Sequence, residues 1–175
     1  QLYNTVDTIV VGQFVGKEAL AAVGTTSSII NTLVGFAAGL STGASVVISQ
    51  CYGSHDHKGL HHAVHTSICV TFLLGAAFTA VGILGADTLL RLQSTPEDVF
   101  TEAHTYLTIY FSGMLGLLTY NMGSGILRAV GDSRRPLYFL VFSAIVNTIL
   151  DLVFVVLLGM GVEGVAYATI IAQFL

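Results

Sequence analysis

Residues 59 to 86 read GLHHAVHTSICVTFLLGAAFTAVGILGA, a stretch that contains no Asp, Glu, Lys or Arg. A helix needs about 20 predominantly apolar residues to cross the hydrocarbon core of a bilayer. This stretch is long enough, and its small residues suit the close packing of helices within a membrane. It therefore predicts a membrane-spanning helix, with lipid as the solvent of the fold.

The rest of the chain has the same character. No charged residue lies between Glu18 and Asp56, or between Glu102 and Arg128. Hydrophobic residues make up 54% of the 175 residues and charged residues only 9%, whereas soluble domains are about 25% charged. The net charge of −4, without a basic stripe or tail, excludes a nucleic-acid partner and leaves the lipid bilayer.

Apolar runs separated by glycine, proline and charged residues predict an all-α, polytopic membrane bundle of six helices. We place the helices near residues 1–15, 25–52, 64–86, 101–127, 136–158 and 164–175. The first and the last run stop at the chain ends, so we expect the sequence to be truncated at both ends. Short connectors predict that consecutive helices run antiparallel.

The basic residues predict the orientation in the membrane. One set of alternate loops carries Lys58, Arg128, Arg134 and Arg135, and the opposite set carries only Lys17 and Arg91. Loops rich in Lys and Arg stay in the cytoplasm. We therefore expect the first helix to run outward, and the chain to be a multi-pass protein of the plasma membrane, the inner membrane of a bacterium or archaeon.

Two aspartates, Asp7 and Asp151, lie inside predicted spans. At 1.5 Å per helical residue, Asp7 lies about 13 Å and Asp151 about 10 Å below the outer surface. No Lys or Arg lies at matching depth on the predicted spans. Ionisable residues within spans usually face the bundle interior and serve ion pathways. The pair therefore predicts a cation site in the outer half of the membrane.

Polar neighbours extend this candidate site. Asn147 precedes Asp151 by one helical turn, and Thr169 lies about 8 Å from the outer surface on the sixth helix. Asn121 and Ser124 are accessory polar groups on the fourth helix, nearer the cytoplasm. Carboxylate, amide and hydroxyl oxygens suit H⁺ or a hard cation such as Na⁺. Asn147 or Thr169 alone would fit an ordinary interhelical hydrogen bond equally well.

Five histidines cluster in the connector before the third predicted helix and at the entry to that helix, and two of them, His61 and His65, have the i, i+4 spacing that can hold Zn²⁺. Because neither a Cys nor an acidic residue beyond Asp56 completes a tetrahedral set in sequence, we interpret the cluster as a polar cytoplasmic connector without a metal. The chain also lacks a P-loop and a nucleophile–base pair, so we expect neither an enzyme nor a cofactor.

Several segments together resemble the multidrug and toxic compound extrusion (MATE) family. The first, YNTVDTIVVGQFVGKEALAAVG (residues 3–24), contains Asp7. The others follow in the family's order and spacing: GASVVISQCYG (43–53), GILRAVGDSRRP (125–136), NTILDLVF (147–154) and GMGVEGVAYAT (159–169). The resemblance covers essentially the whole chain.

The resemblance implies the six-helix N-terminal lobe of a twelve-helix transporter, with the C-terminal lobe as its partner. Such a protein is a secondary antiporter that exports organic, often cationic, drugs and toxic compounds in exchange for H⁺ or Na⁺. The family's cation site matches Asp7, Asn147, Asp151 and Thr169, residue by residue. Relatives often carry asparagines near Asn121 and Ser124, and Ser124 departs from that pattern.

Two other functions remain open at this point. A flippase for lipids or lipid-linked oligosaccharides would belong to the same broad superfamily, and it predicts a cavity lined by basic residues. A channel or scaffold without coupled transport is the other alternative. Buried carboxylates argue against a scaffold, and a channel would conduct without counterflow.

Overall fold

The computed structural model describes residues 8–174, and this part of the chain is helical and contains no strand. The predicted all-α class is therefore confirmed. Helix α1 covers residues 8–15 and ends in a π-helical segment, Val11–Val15. The following helices are α2 (Lys17–Gly53), α3 (His57–Leu92), α4 (Glu97–Ser112), α5 (Met114–Ala129), α6 (Arg134–Asp151) with its π-helical continuation Leu152–Leu157, and α7 (Val162–Phe174).

Three helices among the described residues are long and apolar enough to cross a membrane: Lys17–Gly53, His57–Leu92 and Arg134–Leu157. Helix α2 has 37 residues, which at 1.5 Å per residue is about 55 Å. The hydrocarbon core is only about 30 Å thick, so α2 must tilt or extend into the headgroups and water. Helix α7 is a shorter apolar helix.

The second helix begins earlier than the sequence predicts. Residues 17–24 were expected to form a connector, but α2 starts at Lys17. The turn before it needs only Gly16, whose φ of 133° is open to glycine and strained for other residues. Ala19, Ala22 and Val23 are buried at helical spacing, so the Ala-rich connector packs as the first turns of α2.

The third and fourth spans also differ from the prediction. Helix α3 extends from His57 to Leu92 instead of residues 64–86, because Asp56 caps its start by accepting a hydrogen bond from Gly59 N at 3.0 Å. The predicted span at 101–127 is two helices, α4 and α5, that meet at Gly113. A Cβ at Gly113 would lie 2.6 Å from Ile170 Cγ1 of α7. The break thus lies where a side chain of α7 approaches the backbone closely.

The distribution of side chains is typical of a protein in lipid. Large apolar residues are exposed, among them Leu73, Val81 and Leu84 of α3, the last of them 85% accessible. The interior, in contrast, contains small and polar side chains, including Ser124, Ser143, Asn147, Asp151 and Thr169. Burial of polar groups beneath an apolar surface is expected when the surrounding solvent is hydrocarbon.

The helices form one bundle in which α5 packs mainly against α2 and α3, and α7 packs against α6 and α4. Small residues allow the closest approaches. At Gly82 of α3, for example, a Cβ would overlap the ring of Phe111 on α4. Tyr106, Leu107 and Met114 fill the centre of the bundle and are almost fully buried. The polar side chains of α6 and α7 lie beside this core.

Candidate functional site

The site is formed by one polar face of α6. Ser143, Asn147 and Asp151 follow one another at intervals of four residues, so their side chains lie on the same side of the helix. They are 6%, 0% and 0% exposed, whereas Ile145 and Ile149 between them are 55% exposed. This helix therefore presents its apolar residues to lipid and its polar residues to the bundle.

Helix α7 supplies the second side of the site through Thr169, which is 2% exposed. The Nδ2 group of Asn147 donates to the Thr169 hydroxyl at 3.4 Å, and that hydroxyl donates to Val165 O at 3.0 Å. Asn147 Oδ1 is buried and has no hydrogen-bond partner among the described residues. A buried acceptor of this kind is costly unless a ligand or water occupies it.

Asp151 lies one turn beyond Asn147, and both of its carboxylate oxygens are buried. Immediately after it, α6 changes to the π-helical segment Leu152–Leu157. That segment contacts the π-helical end of α1, Val11–Val15. Short π-helical segments often occur at functional sites, because they alter the backbone hydrogen bonding of a helix locally. Asp151 therefore lies where two such segments meet.

The predicted site residues have different outcomes. Asn147, Asp151 and Thr169 lie together in the interior at the α6–α7 contact. Asp7 lies outside the described residues, so its part in the site stays a prediction. Asn121 of α5 donates through Nδ2 to Leu117 O at 2.8 Å and accepts from Ser41 Oγ through its backbone carbonyl at 2.6 Å.

A cavity of about 160 Å³ joins Asn121 to the α6–α7 site. Its polar lining includes Asn31, Tyr120, Asn121, Ser143, Thr169 and Gln173, and none of the described lining residues is charged. Such a volume holds several water molecules, which need polar partners of this kind. Ser124 is buried but is not one of the described residues that line this cavity.

Sequence reasoning missed Ser143, Asn31 and Gln173. A signal was present for Ser143, because it precedes Asn147 by one turn in the same way that Asn147 precedes Asp151. Gln173 likewise follows Thr169 by one turn of α7. Asn31 lies on α2 and gives no comparable signal, since only the packing of α2 against the other helices directs it toward the cavity.

The histidines occupy the start of α3 and the turn before it, and all five are exposed. His61 and His65 stack with ring centroids 6.2 Å apart. Within residues 8–174, no three His, Cys, Asp or Glu side chains converge as a metal site would require.

The long apolar helices and the buried polar face of α6 are those of a polytopic membrane protein. The MatE family model matches residues 1–153. A probable multidrug resistance protein of Bacillus subtilis, YpnP, is 37% identical over 98% of this chain, and a second one, YoeA, is 35% identical over 93%. A crystal structure of a MATE protein in the bent conformation matches 98% of this chain with a TM-score of 0.93 and 33% identity.

The chain belongs to the MatE family. It spans 38% of the length of YpnP and 36% of that of YoeA, and it covers 38% of the matched crystal structure. The predicted fold of a MATE N-terminal lobe is confirmed by this match.

Proposed function

We propose that this lobe contains the cation-coupling site of an exporter of small organic compounds, formed by Asp7, Asn147, Asp151 and Thr169. The observation that carries the proposal is the complete burial of Asp151 beside Asn147 and Thr169 in a membrane bundle. The family and the polar cavity next to Thr169 support it.

The chemistry of the cluster suits a small cation. A carboxylate at this depth costs a few kcal/mol on insertion scales and more in simulations. Binding of H⁺ or Na⁺ to Asp151 offsets this cost, and Asn147 Oδ1 offers a further oxygen without a partner among the described residues. Oxygen ligands of this type bind hard cations. We infer that arrival of the cation changes how α6, α7 and the end of α1 pack.

Export follows if the cation and the organic compound stabilise different conformations of the lobe. Entry of the cation from the outer side would then release the compound outward, and the cation would leave on the cytoplasmic side. The relatives named above as multidrug resistance proteins support organic, often cationic, compounds as substrates. The same family membership supports a plasma-membrane location and a C-terminal lobe as the other half of the path.

The two alternative functions are less well supported. A flippase for anionic lipids predicts basic residues around the cavity, but no Lys or Arg is among its described lining residues. A channel would conduct ions without the organic compound, which the multidrug resistance relatives do not favour. The channel remains an outcome of the test.

The test uses the full-length transporter in proteoliposomes loaded with a fluorescent organic cation, under an imposed pH or Na⁺ gradient. We expect export in one of the two gradients and its loss in the Asp151→Asn variant. Asp87→Asn is the matched control, because Asp87 is an exposed aspartate at the outer end of α3 that pairs with Arg91. Equal export by Asp151→Asn and wild type would refute the coupling site, and cation currents without export would identify a channel.

A further inference from the structure

The start of α3 carries a second group of chemically reactive side chains, far along the chain from the coupling site. His61, His65 and Cys69 follow one another at intervals of four residues and form one stripe along the helix. All three are exposed. Cys69 continues the i, i+4 spacing of the two histidines into the apolar run of α3.

The contact between His65 and Cys69 has the dimensions of a chelate. His65 Nδ1 lies 3.7 Å from Cys69 Sγ. Bond lengths of about 2.0 Å for Zn–N and about 2.3 Å for Zn–S at a tetrahedral angle place the two donor atoms about 3.5 Å apart. The observed distance therefore needs only a small adjustment to hold a metal ion between the imidazole and the thiolate.

A third ligand is available from the preceding turn. The ring of His61 stacks on that of His65 with an interplanar angle of 14°. No three donors converge within residues 8–174 as they stand, so His61 must rotate about its side-chain bonds to reach the ion. Its exposure leaves that rotation free, and water completes the coordination.

We propose that His65 and Cys69, with His61 as the third ligand, bind Zn²⁺ or a similar borderline-soft divalent cation such as Cd²⁺. Imidazole and thiolate are the ligands that such ions prefer. Without metal, the same two atoms make a weak thiol–imidazole contact. The site does not depend on the coupling site, since its residues lie on a different helix and face the exterior of the bundle.

The position of the stripe along α3 makes the site reachable from water. The apolar run of α3 begins at Ile68 and continues to Ala86, so Cys69 lies at its edge. His61 and His65 precede Cys69 by about 12 Å and about 6 Å along the helix axis. By the distribution of basic residues, this end of α3 faces the cytoplasm.

The first experiment measures alkylation of Cys69 by a maleimide in the reduced, detergent-purified full-length Cys51→Ser variant, with and without Zn²⁺. We expect Zn²⁺ to slow alkylation, and His65→Ala to abolish this protection. His61→Ala should weaken Zn²⁺ binding at least about tenfold, because loss of even an outer-shell partner costs a metal site about 10- to 100-fold. His55→Ala, in the same histidine cluster but in the turn before α3 and so outside the stripe, should leave it unchanged.

A second measurement includes the wild-type protein, in which Cys51 is intact. Cd²⁺ bound to a thiolate gives an ultraviolet charge-transfer absorption, which we expect in the wild-type protein and in Cys51→Ser, but not in Cys69→Ser. Equal protection of Cys69 in wild-type and His65→Ala backgrounds would overturn the proposal. Cd²⁺ absorption that survives in Cys69→Ser and disappears in Cys51→Ser would overturn it too.

Discussion

The side-chain amide of Asn147 lies 3.4 Å from the hydroxyl of Thr169, and this contact joins α6 to α7 next to the buried Asp151. Both residues are almost completely inaccessible to solvent. Asn147 Nδ2 uses the hydroxyl as an acceptor, and the hydroxyl uses its own proton for Val165 O. The cluster thus depends on the position of both helices, so the cation binding proposed above would be linked to the way the helices pack.

Replacing Thr169 with Val tests this contact. The two side chains have nearly the same shape, but valine accepts no hydrogen bond from Asn147. We expect a loss of about 0.6–1.7 kcal/mol in the free energy of unfolding, as for hydrogen bonds between membrane helices. Thermal unfolding of the purified protein measures the change. Thr148→Val is the control, since within residues 8–174 the Thr148 hydroxyl donates to Ala144 O of its own helix. Equal effects of the two substitutions would contradict the interhelical role.

Filling the polar cavity should slow export of the organic compound without unfolding the protein. Ser143 lines the cavity of about 160 Å³, and leucine at this position would displace water and face Asn121 and Thr169 with an apolar group. We expect gradient-driven export by Ser143→Leu to fall about tenfold or more, the effect of roughly 1.4 kcal/mol of lost interaction. Val141→Leu, on the lipid-facing side of α6, should export normally. Normal export by Ser143→Leu would exclude the cavity from the pathway.

The close approach of α3 and α4 should make Gly82 intolerant of any side chain. A Cβ at Gly82 would overlap Phe111, whereas a Cβ at Gly85 would meet nothing within 4 Å. We expect Gly82→Ala to destabilise the bundle by about 1–3 kcal/mol, and Phe111→Leu to restore part of the loss. Gly85→Ala should be nearly neutral. Melting temperatures of the three variants measure this, and a stable Gly82→Ala protein with Phe111 intact would contradict the packing.

The orientation in the membrane is tested by labelling single cysteines. Ser94, in the turn between α3 and α4, and Ser133, between α5 and α6, are both exposed. In a background without Cys51 and Cys69, we expect an impermeant maleimide added outside intact cells to label Ser94→Cys but not Ser133→Cys. Permeabilised cells should label both. The opposite pattern would show that the basic loops do not face the cytoplasm.

Much of the fold could be predicted because lipid leaves a strong signal in the sequence. Long uncharged runs mark the spans, and a carboxylate such as Asp151 within a run is so costly that it indicates an interior position. Asn147 follows from the helical period. These features depend on local sequence and on the energy of transfer into hydrocarbon, and neither requires knowledge of which helices are neighbours.

The features that could not be predicted depend on contacts between helices. The break at Gly113 lies where Ile170 of α7 approaches, and no local pattern marks that glycine among the 19 in the chain. Asn31 reaches the cavity only because α2 packs beside it. The His65–Cys69 contact is different, because it lies within α3 and its i, i+4 spacing was readable from the sequence; it was missed because Cys69 stands in the apolar run.

The most direct test of the account is the exchange of cation for organic compound. Proteoliposomes containing the full-length transporter are given the compound on one side, and uptake of H⁺ or radioactive Na⁺ from the other side is followed. We predict that wild type takes up one of these cations only when the compound is present, and that Asp151→Asn takes up neither. Compound-dependent cation uptake by Asp151→Asn at the wild-type rate would contradict the central role of this buried carboxylate.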